Sequence, residues 1–441
     1  MKRFSIFIIA LASASLSPVV GQDKWDLKQC IDYAIEHNLT IKQREASRNQ
    51  NEVKLSTAKW SRLPNLAGSA SHSFNFGRSL QVDNTYQSIN SQNTTFGLNT
   101  NIPLFTGLRI PNNIALAKLD LKATTEDLNK AKEDISIQVA SAYLQVLFNE
   151  EIAKVAHDQV DMSKAMLVQK EAFYQNGKAS EAEWYEAKAR VEQDQLSAVQ
   201  ADNNLQLALL DLSQLLELPS PDNFGIVSPM IEDDKLISRL DTPDAIFAQA
   251  VLSKPSIKAA QYRLAGAAHN VKIAQSAYYP QLNLAAGLST NYFHMSGRPN
   301  GEFGSQLKDN FSQFIGFQLN VPIFNRLSTR NQTRLARIQQ TTLNWQLEES
   351  KKSLYKEIQL AYYNAIGAES RYQSSQTAEE SAKASFELMK EKYAYGKATA
   401  TAYNESRTNW MRMISDHIQA KYDYLFRTKI LDFYKGIPLE L

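Results

Sequence analysis

Gly97-Leu-Asn-Thr-Asn-Ile-Pro-Leu-Phe-Thr-Gly-Leu108 returns 219 residues later as Gly316-Phe-Gln-Leu-Asn-Val-Pro-Ile-Phe-Asn-Arg-Leu327. Between 97 and 117, eight of 21 positions are identical at that offset, where chance gives about one. The identical pairs are Gly97/Gly316, Asn101/Asn320, Pro103/Pro322, Phe105/Phe324, Leu108/Leu327, Asn112/Asn331, Leu116/Leu335 and Ala117/Ala336. Each copy alternates apolar and polar residues up to its proline, and a long stretch without glycine or proline follows, from Asn112 to Asn176 and from Ile323 to Ile366, so it reads as a strand feeding a long helix. Downstream the offset holds through Ala142-Tyr143/Ala361-Tyr362, Tyr174/Tyr393, Gly177-Lys178/Gly396-Lys397 and Pro219/Pro438. Upstream it is 216, with Ile41-Lys42/Ile257-Lys258, Ala58/Ala274, Pro64/Pro280 and Leu66/Leu282. The change in offset predicts a surface loop between Leu66 and Gly97. The chain is therefore two copies of one unit: a first repeat over 22–219, a linker over 220–241 and a second repeat over 242–441.

Both copies share an internal plan. A helix is expected over Ile31–Ser61 and again over Ala245–Ala277, ended by Pro64 and Pro280. Two alternating stretches follow in each copy: Leu66–Phe76 and Phe96–Leu104 in the first, Leu282–Tyr292 and Ile315–Ile323 in the second. Each is about 10 residues long with period two, the length a tilted strand needs to cross a membrane. One side is apolar and the other carries residues such as Asn65, Ser69, Ser71, Ser73, Asn75, Gln318 and Asn320. Each pair reads as a hairpin, joined by polar loops over Gly77–Thr94 and Phe293–Phe314. Next comes a helix from about Arg109 to Gln175, roughly 100 Å at 1.5 Å per residue. Tyr174-Gln-Asn-Gly177-Lys178 turns the chain, and a second helix over Ser180–Leu216 returns for roughly 55 Å.

The same punctuation explains the composition. Only 16 glycines and 13 prolines occur in 441 residues, and no proline falls between Asn112 and Leu218 or between Ile323 and Ile437. A doubly wound α/β enzyme needs far more frequent turns. Met1-Lys2-Arg3 precedes a short apolar run and the small-residue end Val19-Val20-Gly21, which reads as a secretory leader over 1–21 cut after Gly21. Its removal takes the net charge from +2 to zero, so no attraction to polyanions, nucleic acid included, is expected from the whole chain. Cys30 is the only cysteine, so packing and not a disulfide must hold the exported chain.

Taken together, these residues resemble the TolC-type family of outer-membrane efflux and export channels. The resemblance covers the mature chain. It rests on the duplicated Ile102–Phe105 and Val321–Phe324 junctions, the helix–proline–strand passages at Pro64 and Pro280, and the tips Tyr174-x-x-Gly177 and Tyr393-x-x-Gly396. It implies a mixed α and β membrane protein of two structural repeats. Three protomers would give four strands each to a twelve-stranded outer-membrane β-barrel, with a long α-helical coiled-coil barrel reaching into the periplasm. A homotrimer in outer-membrane lipid, a periplasmic adaptor (membrane fusion) protein and an inner-membrane pump are the implied partners. The implied role is a passive exit channel of a tripartite efflux pump, or alternatively of type I protein or peptide secretion.

The resemblance also implies site residues. Acidic positions six and nine places after the tip glycines form the family's periplasmic gate; here they are Glu183 and Glu186 in copy one, Ala402 and Glu405 in copy two. A tyrosine at Tyr393 would bond Glu183. The arginine that assists this link in the family would fall at Ala398, so that part of the gate is missing. The tips around Gly177, Lys178, Gly396 and Lys397 resemble docking points for the adaptor, and a plain helix-hairpin turn would look the same.

Catalytic constellations are not found. His37, His72, His157, His269, His294 and His417 lack metal-ligand spacing, and no phosphate-binding glycine loop, nucleophile elbow or HExxH occurs. Neither enzyme activity nor a cofactor is expected. Tyr143 and Tyr362 read as packing residues. The rival of another class is a periplasmic coiled-coil scaffold without a pore, which leaves the four alternating segments unexplained.

Overall fold

A computed structural model describes residues 23–80, 84–88, 90–220, 224–229 and 240–440. The expected leader and most of the expected linker lie outside the described residues. The chain divides into two compact units. One takes residues 1–41, 132–246 and 358–441, and the other residues 42–131 and 247–357. Each draws on both sequence repeats.

The first, a helical unit, begins with strand β1 (Asp23–Trp25), which pairs in parallel with β6 (Phe224–Ile226). Helix α1 (Leu27–His37) starts where Asp26 and Gln29 cap each other: the Gln29 N–H donates to Asp26 at 2.7 Å, and the Asp26 N–H to the Gln29 side chain at 3.0 Å. The single helix expected over Ile31–Ser61 is interrupted at Asn38. Its backbone is extended, and its buried side chain donates to the Leu215 carbonyl at 3.1 Å while accepting from the Thr40 N–H at 2.9 Å. Helix α2 (Leu39–Trp60) then follows. A second break falls between α5 (Pro243–Ser253) and α6 (Pro255–Gln275), because Pro255 forces Lys254 out of the helical region.

The long helices repeat residue for residue in length. α3 (Arg109–Gln175) and α8 (Ser328–Ala394) each have 67 residues, and both contribute to both units. Their partners α4 (Glu181–Leu215) and α9 (Ala400–Tyr434) each have 35. No helix is long and apolar enough to cross a membrane, among the described residues. In the helical unit the α8–α9 hairpin packs through small residues and rings. Ala368 and Ala420 let Tyr372 and Tyr424 stack at 5.7 Å, and Phe386 stacks on Trp410 at 5.0 Å. The repeat-equivalent tyrosines differ. Tyr143 is buried and donates to the Val227 carbonyl at 2.6 Å, with burial pushing its phenol well above the usual range, whereas Tyr362 is only half-buried.

The second, a sheet unit, holds one antiparallel sheet of β2 (Asn65–Asn75), β5 (Ser91–Phe105), β7 (Gln281–Met295) and β8 (Ser312–Asn320), in the order β2-β5-β7-β8. The two hairpins are therefore joined by pairing between repeats, β5 against β7. Register puts Leu66 beside Thr100, Phe96 beside Thr290, and Leu284 beside Phe317, so one face carries Leu66, Phe74, Phe96, Leu98, Leu288 and Phe317. The opposite face carries the amides and hydroxyls of Asn65, Ser69, Asn99, Asn101, Asn283 and Asn320. No Asp, Glu, Lys or Arg occurs in any of the four strands. β8 runs three residues earlier than the expected Ile315–Ile323, since Pro322 lacks the N–H a ladder needs and restricts Val321.

The two loops are more structured than expected. Within Gly77–Thr94, β3 (Arg78–Leu80) pairs with β4 (Tyr86–Ser88) and β5 starts at Ser91. Within Phe293–Phe314, helix α7 (Phe303–Asp309) appears, and side-chain amides take the place of a strand along the edge of β7. Asn310 donates to the Asn291 carbonyl at 2.8 Å. Gln306 accepts from the Phe293 N–H at 2.9 Å and donates to its carbonyl at 3.0 Å, and Asn300 does the same for Met295 at 2.7 and 2.9 Å. β7 is thereby closed to pairing beyond the reach of β8, while β2 and β8 keep free outer edges among the described residues.

Candidate functional site

Both helix tips are built alike. Gly177 and Gly396 adopt left-handed φ of 68° and 67°. The next N–H groups, of Lys178 and Lys397, reach back to the Phe173 and Lys392 carbonyls at 2.7 Å, closing each helix in a Schellman turn. Ser180 and Thr399 then cap the outgoing helices, accepting from the Glu183 and Ala402 N–H groups at 3.2 Å. A Cβ on either glycine would meet open space, so φ alone requires glycine there.

Just behind the tips, α3, α4, α8 and α9 enclose a cavity with about 30 Å³ of water-sized space. Glu183, Glu186 and Tyr393 line it together, while Glu405 is exposed on α9 and does not. The organising group is Lys170. Its Nζ donates to Glu183 at 2.6 Å and lies 5.3 Å from the centre of the Tyr393 ring. Burial of Lys170 opposes its charge, but hydrogen bonds to Glu183 and Tyr393 outweigh that and raise its pKa. Tyr393 in turn stacks on Tyr403 at 5.0 Å, as its repeat equivalent Tyr174 stacks on Trp184 at 5.6 Å.

Deeper along the same helices lies a buried charge cluster. Arg407 of α9 donates to Asp194 of α4 at 2.7 Å, and both side chains are 2% exposed. Arg407 also donates to the Gln159 carbonyl at 2.9 Å. Asp194 further accepts from the Gln159 amide at 2.8 Å and lies 3.3 Å from Arg190 Nε. The contacts of this buried pair tie α3, α4 and α9 together. The cluster belongs to one place only: at the offset of 219, Asp194 corresponds to Met413 and Arg407 to Lys188.

The motif search finds Glu183, Glu186 and Tyr393 but misses Lys170, Gln159, Asp194 and Arg407. A usable signal existed. Lys170 and Glu183, Gln159 and Asp194, and Asn149 and Asn204 each sit one residue farther from Gly177 on the incoming side than on the outgoing side. An antiparallel hairpin places such residues level, so complementary side chains equidistant from a tip glycine mark contacts. Lys170 supplies a cation beside Glu183 where the arginine expected near Ala398 is missing.

A charge-free amphipathic sheet and long helical hairpins make up a fold that this chain shares with solved outer membrane channel proteins. The chain belongs to the outer membrane efflux protein family, which it matches over residues 30–217 and 246–433, once in each repeat. This places it in the outer membrane. It is 25% identical to the pyoverdine export outer membrane protein OpmQ of Pseudomonas putida over 307 residues, 68% of this chain and 60% of that protein. The matched region thus spans less than two thirds of OpmQ. It is 24% identical to the cation efflux system protein CusC of Escherichia coli O157:H7 over 370 residues, 79% of this chain and 74% of that one. The Campylobacter jejuni CmeC outer membrane channel has the same fold, with a TM-score of 0.78 and 21% identity, over 94% of this chain and 87% of that one.

Proposed function

We propose that the chain is the passive outer-membrane exit channel of a tripartite efflux pump, carrying small molecules out of the periplasm as a homotrimer. The observation that carries this reading is the four-stranded sheet. Lipid does not tolerate the free edges of β2 and β8, and the charge-free strands do not suit life in water. Closure requires further copies of the same chain, and the polar face then lines a water path. The lack of any catalytic constellation in the sequence supports a conduit without chemistry of its own, driven by a partner.

In this reading Lys170, Glu183 and Tyr393 hold the helix tips together and Glu186 borders them, while exposed Glu405 stands free to face a neighbouring copy or the water path. The tips at Gly177, Lys178, Gly396 and Lys397 are the contact points for a periplasmic adaptor. The repeat boundaries at 22–219, 220–241 and 242–441 belong to the same proposal. The names of the relatives point to different cargoes, pyoverdine for OpmQ and cations for CusC, so cargo choice is assigned to the partner pump.

The test is fractionation, crosslinking and planar-bilayer recording of the mature protein. Outer-membrane recovery, a trimeric crosslink and discrete conductance steps are expected. A soluble monomer without conductance would overturn the channel and favour the scaffold.

A further inference from the structure

We propose that Arg326, Arg330, Arg334 and Arg337 form a docking face for the phosphate headgroups of anionic phospholipid at the membrane surface. The inference rests on the placement of the sheet in the outer membrane. β8 ends at Asn320, and the chain then exposes Ile323 (94%) and Phe324 (77%) before Arg326. Exposed apolar residues followed at once by cations are the signature of a membrane interface.

All four arginines are exposed, and none of their side chains makes a hydrogen bond or ion pair among the described residues. Arg330, Arg334 and Arg337 fall within about 60° of one another round α8 and span about 10 Å of its length. No acidic residue occurs between Asp309 and Glu348 to neutralise them.

Two local rules are broken to keep these cations. Arg326 holds a left-handed φ of 56°, at the position where the first repeat uses Gly107 with φ 62°. The first turns of α8 carry arginines and no acid, although the free N–H groups there favour negative charge. A bound anion would offset the second of these. The first repeat shows none of this: the matching positions are Gly107, Pro111, Ala115 and Lys118. There the start of α3 is covered by α6, with Gly266 against Leu116 and His269 bonded to Asn112 at 2.9 Å. On α8 only Thr329 and Thr333 are buried over the same turns.

A second copy of the chain is a poor source of the missing negative charge at this level. The sheet unit holds 24 Lys and Arg against 11 Asp and Glu, a net charge of +13. Lipid phosphate supplies what the protein does not, at about fivefold in affinity for each arginine engaged.

The experiment loads the full mature protein into mixed micelles of phosphatidylglycerol and phosphatidylcholine in equal amounts and weighs the lipid it retains by native mass spectrometry. The wild type should prefer phosphatidylglycerol by at least about fivefold. Changing all four arginines to glutamine should abolish the preference, changing them to lysine should keep most of it, and Arg298→Gln in the β7–α7 connection should leave it intact. If the fourfold variant does not insert, Arg330→Gln with Arg334→Gln takes its place and must still lower the preference at least about fivefold. An unchanged preference in the glutamine variants overturns the proposal. So does a change in ion selectivity of the conductance with lipid preference intact, which would make the arginines pore-lining. A wild type that conducts but shows no preference sinks this inference alone, whereas one that never conducts sinks the channel reading itself.

Discussion

The two units of this chain carry opposite charge. The sheet unit stands at +13, and the helical unit without the expected leader, with 22 Lys and Arg against 35 Asp and Glu, at −13. They also use charge differently. The helical unit buries an Asp194–Arg407 pair and closes its tips through Lys170 and Glu183. The sheet unit keeps charge out of the four strands of its large sheet and leaves a row of arginine side chains without a protein partner among the described residues. Whole-chain neutrality predicts no attraction to polyanions. Resolved by unit, the same count predicts attraction on one unit and repulsion on the other, because fields act over about 10 Å and not over a whole molecule. A net charge is informative only when the residues that contribute to it share a neighbourhood.

That contrast can be broken by substitution. The largest effect is expected in the helical unit. Asp194→Ala leaves Arg407 buried without its carboxylate and should cost about 3–5 kcal/mol. Asp194→Leu with Arg407→Leu should recover much of it, as read by urea unfolding of the helical circular dichroism signal. An Asp194→Ala protein as stable as wild type would show that buried charge does not hold this unit.

In the sheet unit the strongest effect should come from backbone contact. A Cβ on Gly107 would lie 2.5 Å from the Ser276 carbonyl at a left-handed φ, so Gly107→Ala should cost about 2 kcal/mol or more. Gly177→Ala, with the same sign of φ but open space, should cost only about 1 kcal/mol. Equal melting shifts for the two would remove the close approach from the account.

Lys170→Met should change stability by about 1 kcal/mol or less, since Glu183 is 43% exposed and screened, but should lengthen open events in bilayer recordings. The pH dependence follows from the raised pKa of Lys170. Its contribution is fully present below the unfolded value of 10.5 and is lost as pH rises through the higher folded value. Wild type and Lys170→Met should therefore differ at neutral pH and converge only above 10.5. The smallest effect is expected for Arg330→Gln. It should stay within about 0.5 kcal/mol of wild type, on the stabilising side, because it removes a cation from a helix N-terminus. A large loss of stability there would mean that the arginine has a partner in the assembled protein.

Much of the fold was legible because its signals are periodic. Alternation marked the four strands, and the scarcity of glycine and proline marked the 67-residue helices, to the residue in α3. What was not legible depends on single side chains acting at a distance. Asn38 breaks a helix because it meets Leu215, and Gln306 substitutes for a strand because α7 returns it to Phe293. No periodicity encodes either contact. At the tips, counting from Gly177 found Glu183, but pairing across the hairpin was needed to find Lys170 and Asp194.

The strands without charge have a consequence for how the chain is made. Lysines and prolines on edge strands normally act as gatekeepers against runaway pairing of newly made chains, and β2 and β8 have neither. If copies must meet to close the sheet, as proposed, each chain carries two sticky edges until they do. Its yield in the cell should therefore depend on escort by holding chaperones and on the local concentration of its own kind, and overproduction should favour aggregates over channels.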